Sequence, residues 1–339
     1  MNKIRLGING FGRIGRRLFR LLHDHPLIEV CAVNDTAPIE TLAHLLKYDS
    51  IHGIFKAEVS YDKNTALPAR LYVEGRSISF YNKYKPEEIP WAKEEVDLVV
   101  ESSGKFKTYD DLQAHLNAGA PKLILSVPPA DDRIKTVVMG INERQISAED
   151  RTLSNASCTT NNAAPMIKVI HDLCGIKQAY ISTVHSYTTD QSLHDQPHRD
   201  LRRARAAGQS IVPTTTGAAK ALTKIFPNLA HVIGGCGIRV PVANGSLTDV
   251  TLNVENETDI KTVNQAFKNA ANGYLKNILE YTEVPLVSID IVGNTHSCIL
   301  DAAMTSVIGN MVKLIGWYDN ETGYSSRLID LILYISHKT

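Results

Sequence analysis

The chain of 339 residues has no CxxC pair, and its five cysteines, Cys31, Cys158, Cys174, Cys236 and Cys298, are odd in number and far apart. That sparse usage excludes a disulfide scaffold and argues against a zinc centre, so no metal is expected. No apolar run approaches the ~18 residues that a membrane span requires. There is also no excess of charge. Lys plus Arg number 36 and Asp plus Glu number 36, giving a formal net charge of zero. Nucleic-acid binding draws much of its affinity from a basic surface, and membrane anchoring often uses a polybasic segment, so neither partner is expected. Internal repeats and low-complexity stretches are lacking. The opening, MNKIRLGINGFGRIG, has no apolar core or small-residue cleavage site of a secretory signal, since apolar and polar residues alternate straight into a glycine motif. Residue 1 is therefore expected to belong to the fold and the protein to be cytoplasmic.

What is present is an ordinary globular composition, 43% hydrophobic and 21% charged, on a chain long enough for about two domains at ~100–200 residues each. KIRLGIN reads as a strand, GFGRIGRRLFRLLHDH as a helix with Ile14, Leu18, Leu21 and Leu22 at helical spacing, and IEVCAVND as a second strand. VDLVVESSG and PKLILSVPP are short continuous apolar runs, as buried parallel strands are, and TYDDLQAHLNAGA between them reads as a crossover helix. Residues up to about 157 thus form one doubly wound domain. Beyond them KQAYISTVHSY, GGCGIRVPV, SLTDVTLNV and VPLVSIDIV read as longer strands, ETDIKTVNQAFKNAAN and SSRLIDLILYIS as helices. This second part is expected to be α+β with a largely antiparallel or mixed sheet.

Gly10-Phe11-Gly12-Arg13-Ile14-Gly15 is G-x-G-x-x-G after a strand and at the start of a helix. Gly10 makes the tight turn, Gly12 admits a pyrophosphate, Gly15 allows close helix packing, and the helix N-terminus supplies N–H groups and partial positive charge. Asp35 ends the next strand, 20 residues after Gly15, where its carboxylate accepts ribose hydroxyls and repels a 2′-phosphate. The pattern predicts a Rossmann domain that binds NAD in preference to NADP. A glycine-rich turn serving packing alone is the competing reading.

A second constellation lies at Ser-Asn-Ala-Ser-Cys-Thr-Thr-Asn-Asn, 154–162, followed by the helical stretch AAPMIKVIHDLCG. Cys158 is expected at a helix N-terminus, where the dipole favours a thiolate. Pro165 predicts an irregular or kinked first turn. His185 falls in a strand-like run 27 residues on. Facing the thiol it would form an ion pair and serve as acid or base. Spacing does not show that the two meet, and a satisfied core histidine is the alternative. The other four cysteines read as buried, inert thiols.

INGFGRIGR, Asn34-Asp35, LLKYDSIHG, SNASCTTN, HSYT, HRDLRRARAA, TTTGAAKA, IRVP and WYDNETGYSSR occur in the order and spacing of phosphorylating glyceraldehyde-3-phosphate dehydrogenases, and the chain resembles that family over essentially its whole length. The resemblance implies an NAD-binding domain over 1–157 and 320–339 and a catalytic domain over 158–319. It implies a cysteine thioester at Cys158, His185 as its acid–base partner, and NAD-dependent oxidation of glyceraldehyde 3-phosphate to 1,3-bisphosphoglycerate in glycolysis or gluconeogenesis. Thr188, Arg203 and Arg239 match the residues for the substrate phosphate. Ser157, Thr159, Thr216 and Gly217 match those for inorganic phosphate. Arg13 and Ile14 with Gly10, Gly12 and Gly15 match the pyrophosphate loop, Asp35 the ribose ligand, and Ser103, Gly104 and Ser126 residues near the nicotinamide ribose and adenine. Asn320 matches the group that orients the nicotinamide, with Tyr324 near it. The resemblance implies a homotetramer in which a segment reading Asp195-Gln196-Pro197 reaches a neighbouring subunit.

Asn162 stands where many relatives carry a second cysteine, and Thr322 where a bulky aromatic is common, which is expected to loosen packing near Asn320. Gln191 and DLRR also occur in erythrose-4-phosphate dehydrogenases, which resolve the thioester with water on the way to vitamin B6. That is the alternative reading. TTTGAAKA favours the triose enzyme.

Overall fold

The computed structural model describes residues 3–63 and 68–337. Met1 and Asn2, read above as part of the fold, lie outside the described residues. The chain divides into two compact units. The first takes in residues up to Val137, Arg144–Ala156 and the segment from Ser325 on. The second is Val138–Glu143 with Ser157–Tyr324.

The first unit is built on β1 (Ile4–Asn9), α1 (Arg13–Leu22), β2 (Ile28–Asn34), α2 (Ile39–Lys47), β3 (Val59–Asp62), β4 (Ala69–Val73), β5 (Arg76–Tyr81), β6 (Leu98–Glu101), α3 (Tyr109–Asn117), β7 (Leu123–Leu125), β8 (Lys135–Thr136) and β9 (Thr152–Ser154). They form one sheet in the order β8-β9-β7-β6-β1-β2-β5-β4-β3. Pairing is parallel from β8 through β5 and antiparallel at the β5-β4-β3 edge. The middle strands read as unbroken apolar runs because both faces are covered: Leu6, Ile8, Val99, Val100, Leu123, Ile124 and Leu125 are all at most 1% exposed. Each such side chain contributes roughly 1.5–3 kcal/mol by burial. The antiparallel edge is an addition that the doubly wound reading did not contain. Its hairpin turns at Glu74 and Gly75, both at positive φ (49° and 74°), as a tight hairpin turn requires. The strand order reverses at β1, whose neighbours are β2 and β6. In open α/β sheets that reversal opens a crevice at the C-terminal strand ends.

The second unit contains α4 (Cys158–Cys174), β10 (Ile176–Ser186), β11 (Val212–Thr214), α5 (Ala218–Ile225), β12 (Ile233–Val240), β13 (Ser246–Val254), α6 (Ile260–Asn272), β14 (Leu279–Thr282), β15 (Cys298–Asp301), β16 (Ser306–Ile308) and β17 (Met311–Tyr318). The sheet order is β11-β12-β10-β13-β17-β15-β14, with β16 on β17. It is mixed as expected: β10 runs parallel to β12 and β14 to β15, and the other pairs are antiparallel. The last helix, α7 (Thr322–Ser336), starts in this unit, with Asp319 Oδ1 accepting from the N–H groups of Glu321 and Thr322 at 2.9 and 2.8 Å. Thr322 itself is fully buried.

Two local expectations fail. VPLVSIDIV, 284–292, is a run of turns, not a strand. Pro285 removes a ladder donor, and Asp290 folds the segment onto itself by accepting the Val287 N–H at 2.8 Å, so its alternating apolar residues never find a partner strand. The helix carrying Cys158 is continuous through Pro165, without the irregular first turn. Pro165 and the residues beside it are buried against the sheet, and that packing offsets the one lost backbone bond.

Candidate active site

The crevice at the β1/β6 reversal has a volume of ≈ 180 Å³ and is lined by Asn9, Gly10, Gly12, Asn34, Asp35, Lys83, Ser103 and neighbours. The three glycines have distinct reasons to be glycine. Gly10 is at φ +89°, and a Cβ there would stand 2.3 Å from the Ser103 nitrogen. A Cβ on Gly15 would stand 2.2 Å from the Gly10 carbonyl oxygen. A Cβ on Gly12 would meet nothing within 4 Å. The open position is the one at the mouth of α1, whose N-terminus has no capping side chain and no acidic residue in its first turn. The contrast is α3, whose N-terminus is closed by Thr108 and Asp111 in a capping box. An uncapped helix start beneath an open glycine fits a dinucleotide pyrophosphate.

Asp35 accepts the Phe11 N–H at 2.6 Å through Oδ2 and the Ala37 N–H at 2.9 Å through Oδ1, which fixes it at the end of β2 against the glycine loop. Asp35→Gly is expected to raise affinity for NADP relative to NAD by about tenfold or more, since a carboxylate that repels a 2′-phosphate is removed. Titration with each dinucleotide checks this, and an unchanged ratio removes Asp35 from the ribose site. Arg13 directs its guanidinium at Asp49, at 2.7 and 3.2 Å. Ile14 follows in the first turn. Ser103, Gly104 (φ +71°) and Ser126 lie just past the ends of β6 and β7, with the Ser126 N–H bonded to the Glu101 carbonyl at 2.9 Å.

In the second unit Cys158 is the first residue of α4. Ser157 is its cap, accepting the Thr160 N–H at 3.1 Å. Ala156, just ahead, is held at φ +55°, a strained conformation for alanine. The sulfur lies 3.4 Å from His185 Nε2. That contact follows from topology: His185 is near the end of β10, and in the parallel pairing with β12 its register partner is Arg239, which in turn pairs with Val212 of β11. Arg239 Nη1 donates to the Ser186 carbonyl at 2.9 Å and stands 2.6 Å from His185 Nδ1. Nδ1 is also 2.7 Å from the Ser186 carbonyl. One nitrogen cannot both donate to Ser186 and accept from Arg239. The bond to Ser186 is the one that leaves Nε2 as acceptor toward sulfur.

Electrostatics depart from the expected ion pair. Burial pushes the Cys158 thiol up, against the pull of the Arg239 guanidinium and the Thr159 hydroxyl and N–H. Burial, then the charge on Arg239, pushes His185 down to about 3. Desolvation of both partners opposes a thiolate–imidazolium pair, and Arg239 is the charge that favours the thiolate. Of the other cysteines, Cys174 and Cys298 are buried as expected, whereas Cys31 and Cys236 keep partial exposure. Burial pushes Cys31 up to about 11, which keeps it protonated and unreactive.

Arg203 is held beside the TTTG stretch. Its Nε donates to Thr214 Oγ1 at 2.9 Å, Nη2 to the Thr215 carbonyl at 3.4 Å, and Nη1 pairs with Asp190. Gly217 caps α5 without a side chain, and a Cβ there would meet nothing within 4 Å. Thr216 Oγ1 accepts the Ala218 N–H at 3.2 Å. Thr188 follows β10 by two residues, and its carbonyl accepts the Gln191 N–H at 2.9 Å. Asn320 is fixed by Ser186 and Ser246, whose hydroxyls donate to its Oδ1 at 2.9 and 3.0 Å, which leaves its amide N–H₂ to a ligand. Tyr324 is buried nearby in sequence. Asn162 donates to the carbonyls of Ser297, Gly316 and Trp317 at 3.2–3.3 Å, so it serves as a buried tie between strand ends.

Tyr318 was not singled out from sequence. It is 1% exposed, its hydroxyl lies 2.9 Å from both Thr159 Oγ1 and Thr183 Oγ1, and its ring meets His185 edge-on at 5.9 Å. The only trace of it in sequence is its place in WYDNETGY. Asp190, Thr214, Ser186 and Ser246 were missed for the same reason: they hold other site residues and carry no pattern of their own.

Residues 4–109 match the profile described as the NAD binding domain of glyceraldehyde 3-phosphate dehydrogenase, and residues 157–320 match its C-terminal domain. The chain is 50% identical over 337 residues to a glyceraldehyde-3-phosphate dehydrogenase of Geobacillus stearothermophilus, covering 99% of both. It is 48% identical over 336 residues to glyceraldehyde-3-phosphate dehydrogenase 1 of Bacillus cereus, covering 98% of this chain and 99% of the relative. A glyceraldehyde-3-phosphate dehydrogenase 1 of Bacillus subtilis is 49% identical over 337 residues. With profile matches on both units and such identity along the whole chain, this protein belongs to the glyceraldehyde-3-phosphate dehydrogenase family and uses NAD.

Proposed function

We propose that the protein catalyses the NAD-dependent oxidation of glyceraldehyde 3-phosphate, with inorganic phosphate, to 1,3-bisphosphoglycerate through a thioester on Cys158. The 3.4 Å contact between Cys158 and His185, with Arg239 behind the imidazole, carries this reading. The substrate phosphate is held by Arg203 and Arg239, with Thr188 contributing, since a guanidinium fork suits phosphate oxygens. Drawing Arg239 onto that phosphate removes its competition for His185 Nδ1, which then donates to Ser186 and leaves Nε2 as a base. His185 takes the thiol proton, the Cys158 sulfur bonds to the aldehyde carbon as the C=O bond opens, and His185 returns that proton to the carbonyl oxygen. His185 then takes the proton of the resulting hydroxyl. Bound NAD, positioned by Gly10–Gly15, Asp35, Ser103, Gly104, Ser126, Asn320 and Tyr324, supplies the hydride acceptor. Inorganic phosphate, placed by Ser157, Thr159, Thr216 and Gly217, attacks the thioester carbonyl, forming the acyl phosphate and returning the sulfur as thiolate.

The erythrose-4-phosphate alternative is not favoured, because the full-length relatives carry the triose-phosphate name and the Thr216–Gly217 stretch offers an open site for the second phosphate. The homotetramer is supported by the segment between β10 and β11, where Leu193, Leu201 and Ile211 are 71–82% exposed and would gain cover from a neighbour. A cytoplasmic location accords with the reduced cysteines, all five of which are free. Among the described residues no helix is long and apolar enough to cross a membrane. The test is acid quenching with triose phosphate and NAD but no inorganic phosphate, followed by mass analysis. One acyl group on the peptide holding Cys158 is expected, discharged by added phosphate. An unmodified peptide during reduction of NAD rules the thioester out.

A further inference from the structure

Behind the dinucleotide crevice runs a buried polar chain that the reading above does not use. Trp91 Nε1 donates to His115 Nδ1 at 3.1 Å, and His115 Nε2 lies 3.1 Å from Glu101 Oε2. That oxygen also accepts from Asn9 Nδ2, and Asn9 Oδ1 accepts from Asn34 Nδ2 at 2.8 Å. Glu101 Oε1 accepts from the Ser103 N–H at 2.8 Å and its hydroxyl at 2.5 Å. Trp91, Glu101 and His115 are all 0% exposed. An indole N–H only donates, so His115 Nδ1 must accept and its ring proton sits on Nε2, facing Glu101. Every neighbour of the carboxylate is thus turned into a donor.

The rest of β6 is Leu98-Val99-Val100, and an apolar residue at position 101 would complete its packing without the cost of burying a carboxylate. Glu101 lies behind the crevice wall, yet the residues it grips, Asn9 and Ser103, line that wall. Ser103 is also the residue against which Gly10 makes its tight turn. We infer that Glu101 is a positioning residue for NAD, fixing Ser103 and Asn9 at the rim of the crevice with His115 and Trp91 holding the carboxylate from behind. This rests on the assignment of the crevice as the dinucleotide site.

The test compares Glu101→Gln, Ser103→Ala and the double variant in the full-length enzyme. Glutamine keeps the shape but presents an N–H₂ to a ring of donors. NAD titration is expected to show affinity weakened about tenfold or more in Glu101→Gln, with the double variant no worse, because Glu101 acts through Ser103. KM for NAD rises while kcat at saturating NAD and the rate of Cys158 alkylation by iodoacetamide without NAD stay unchanged. A lowered melting temperature with unchanged NAD affinity overturns the inference, as does an additive double variant. If Glu101→Gln is not recovered folded, His115→Phe keeps a planar ring while removing the donor to Glu101 and the acceptor of the Trp91 N–H. NAD affinity weakened severalfold supports the inference, and unchanged affinity overturns it. Asp35→Gly separates the levels. If it leaves both dinucleotide affinities unchanged, the crevice assignment falls and this inference with it. If it shifts them while Glu101→Gln does not, only this inference falls.

Discussion

Cys158→Ala is expected to abolish oxidation of glyceraldehyde 3-phosphate, by about 10⁴-fold or more, while leaving NAD binding at its wild-type affinity. The thiol is the side chain in the reading that bonds to substrate carbon, and alanine leaves no nucleophile to form the thioester. The residues of the glycine loop and Asp35 bond to one another within the first unit, so the variant does not disturb their contacts. Steady-state NADH formation and NAD titration on one preparation check both halves. Retained turnover assigns the chemistry elsewhere. Lost NAD affinity means that the sulfur is part of the dinucleotide site.

His185→Asn is expected to lower kcat by about 10²–10⁴-fold at neutral pH, the range that a positioned base supplies. The loss should narrow toward alkaline pH. With burial pushing the thiol up, the fraction of Cys158 ionised without help grows as pH rises, so the need for Nε2 falls. The imidazole, pushed down to about 3, remains an available base throughout that range in the wild type. Paired pH–rate profiles and iodoacetamide alkylation of Cys158 measure this. A variant with full activity at every pH would show that the 3.4 Å contact has no catalytic role.

Much of this arrangement is legible in the sequence. The glycine loop announces itself because each glycine answers a separate steric demand, two of them overlaps under 2.5 Å and the third an open mouth. Cys158 was legible through its neighbours: Ser157 is a cap residue and caps. His185 was readable as a strand residue but not as a partner, because its distance to sulfur depends on β10 lying beside β12 and on a register that pairs it with Arg239, 54 residues away. The antiparallel edge of the first sheet escaped notice because its turn is Glu74-Gly75, and the run 284–292 misled because alternation alone says nothing about an available edge. Tyr318, Asp190 and Glu101 were invisible for a common reason. Each acts on another residue, and such roles leave no periodicity in the chain.

The most direct measurement is NADH formation from glyceraldehyde 3-phosphate and, separately, erythrose 4-phosphate, each with and without inorganic phosphate. The account predicts strong turnover of the triose phosphate that depends on inorganic phosphate, and weak turnover of the tetrose phosphate. Faster, phosphate-independent oxidation of the tetrose phosphate would contradict it, because water would then resolve the Cys158 thioester and the sites at Thr216 and Gly217 would hold no attacking phosphate.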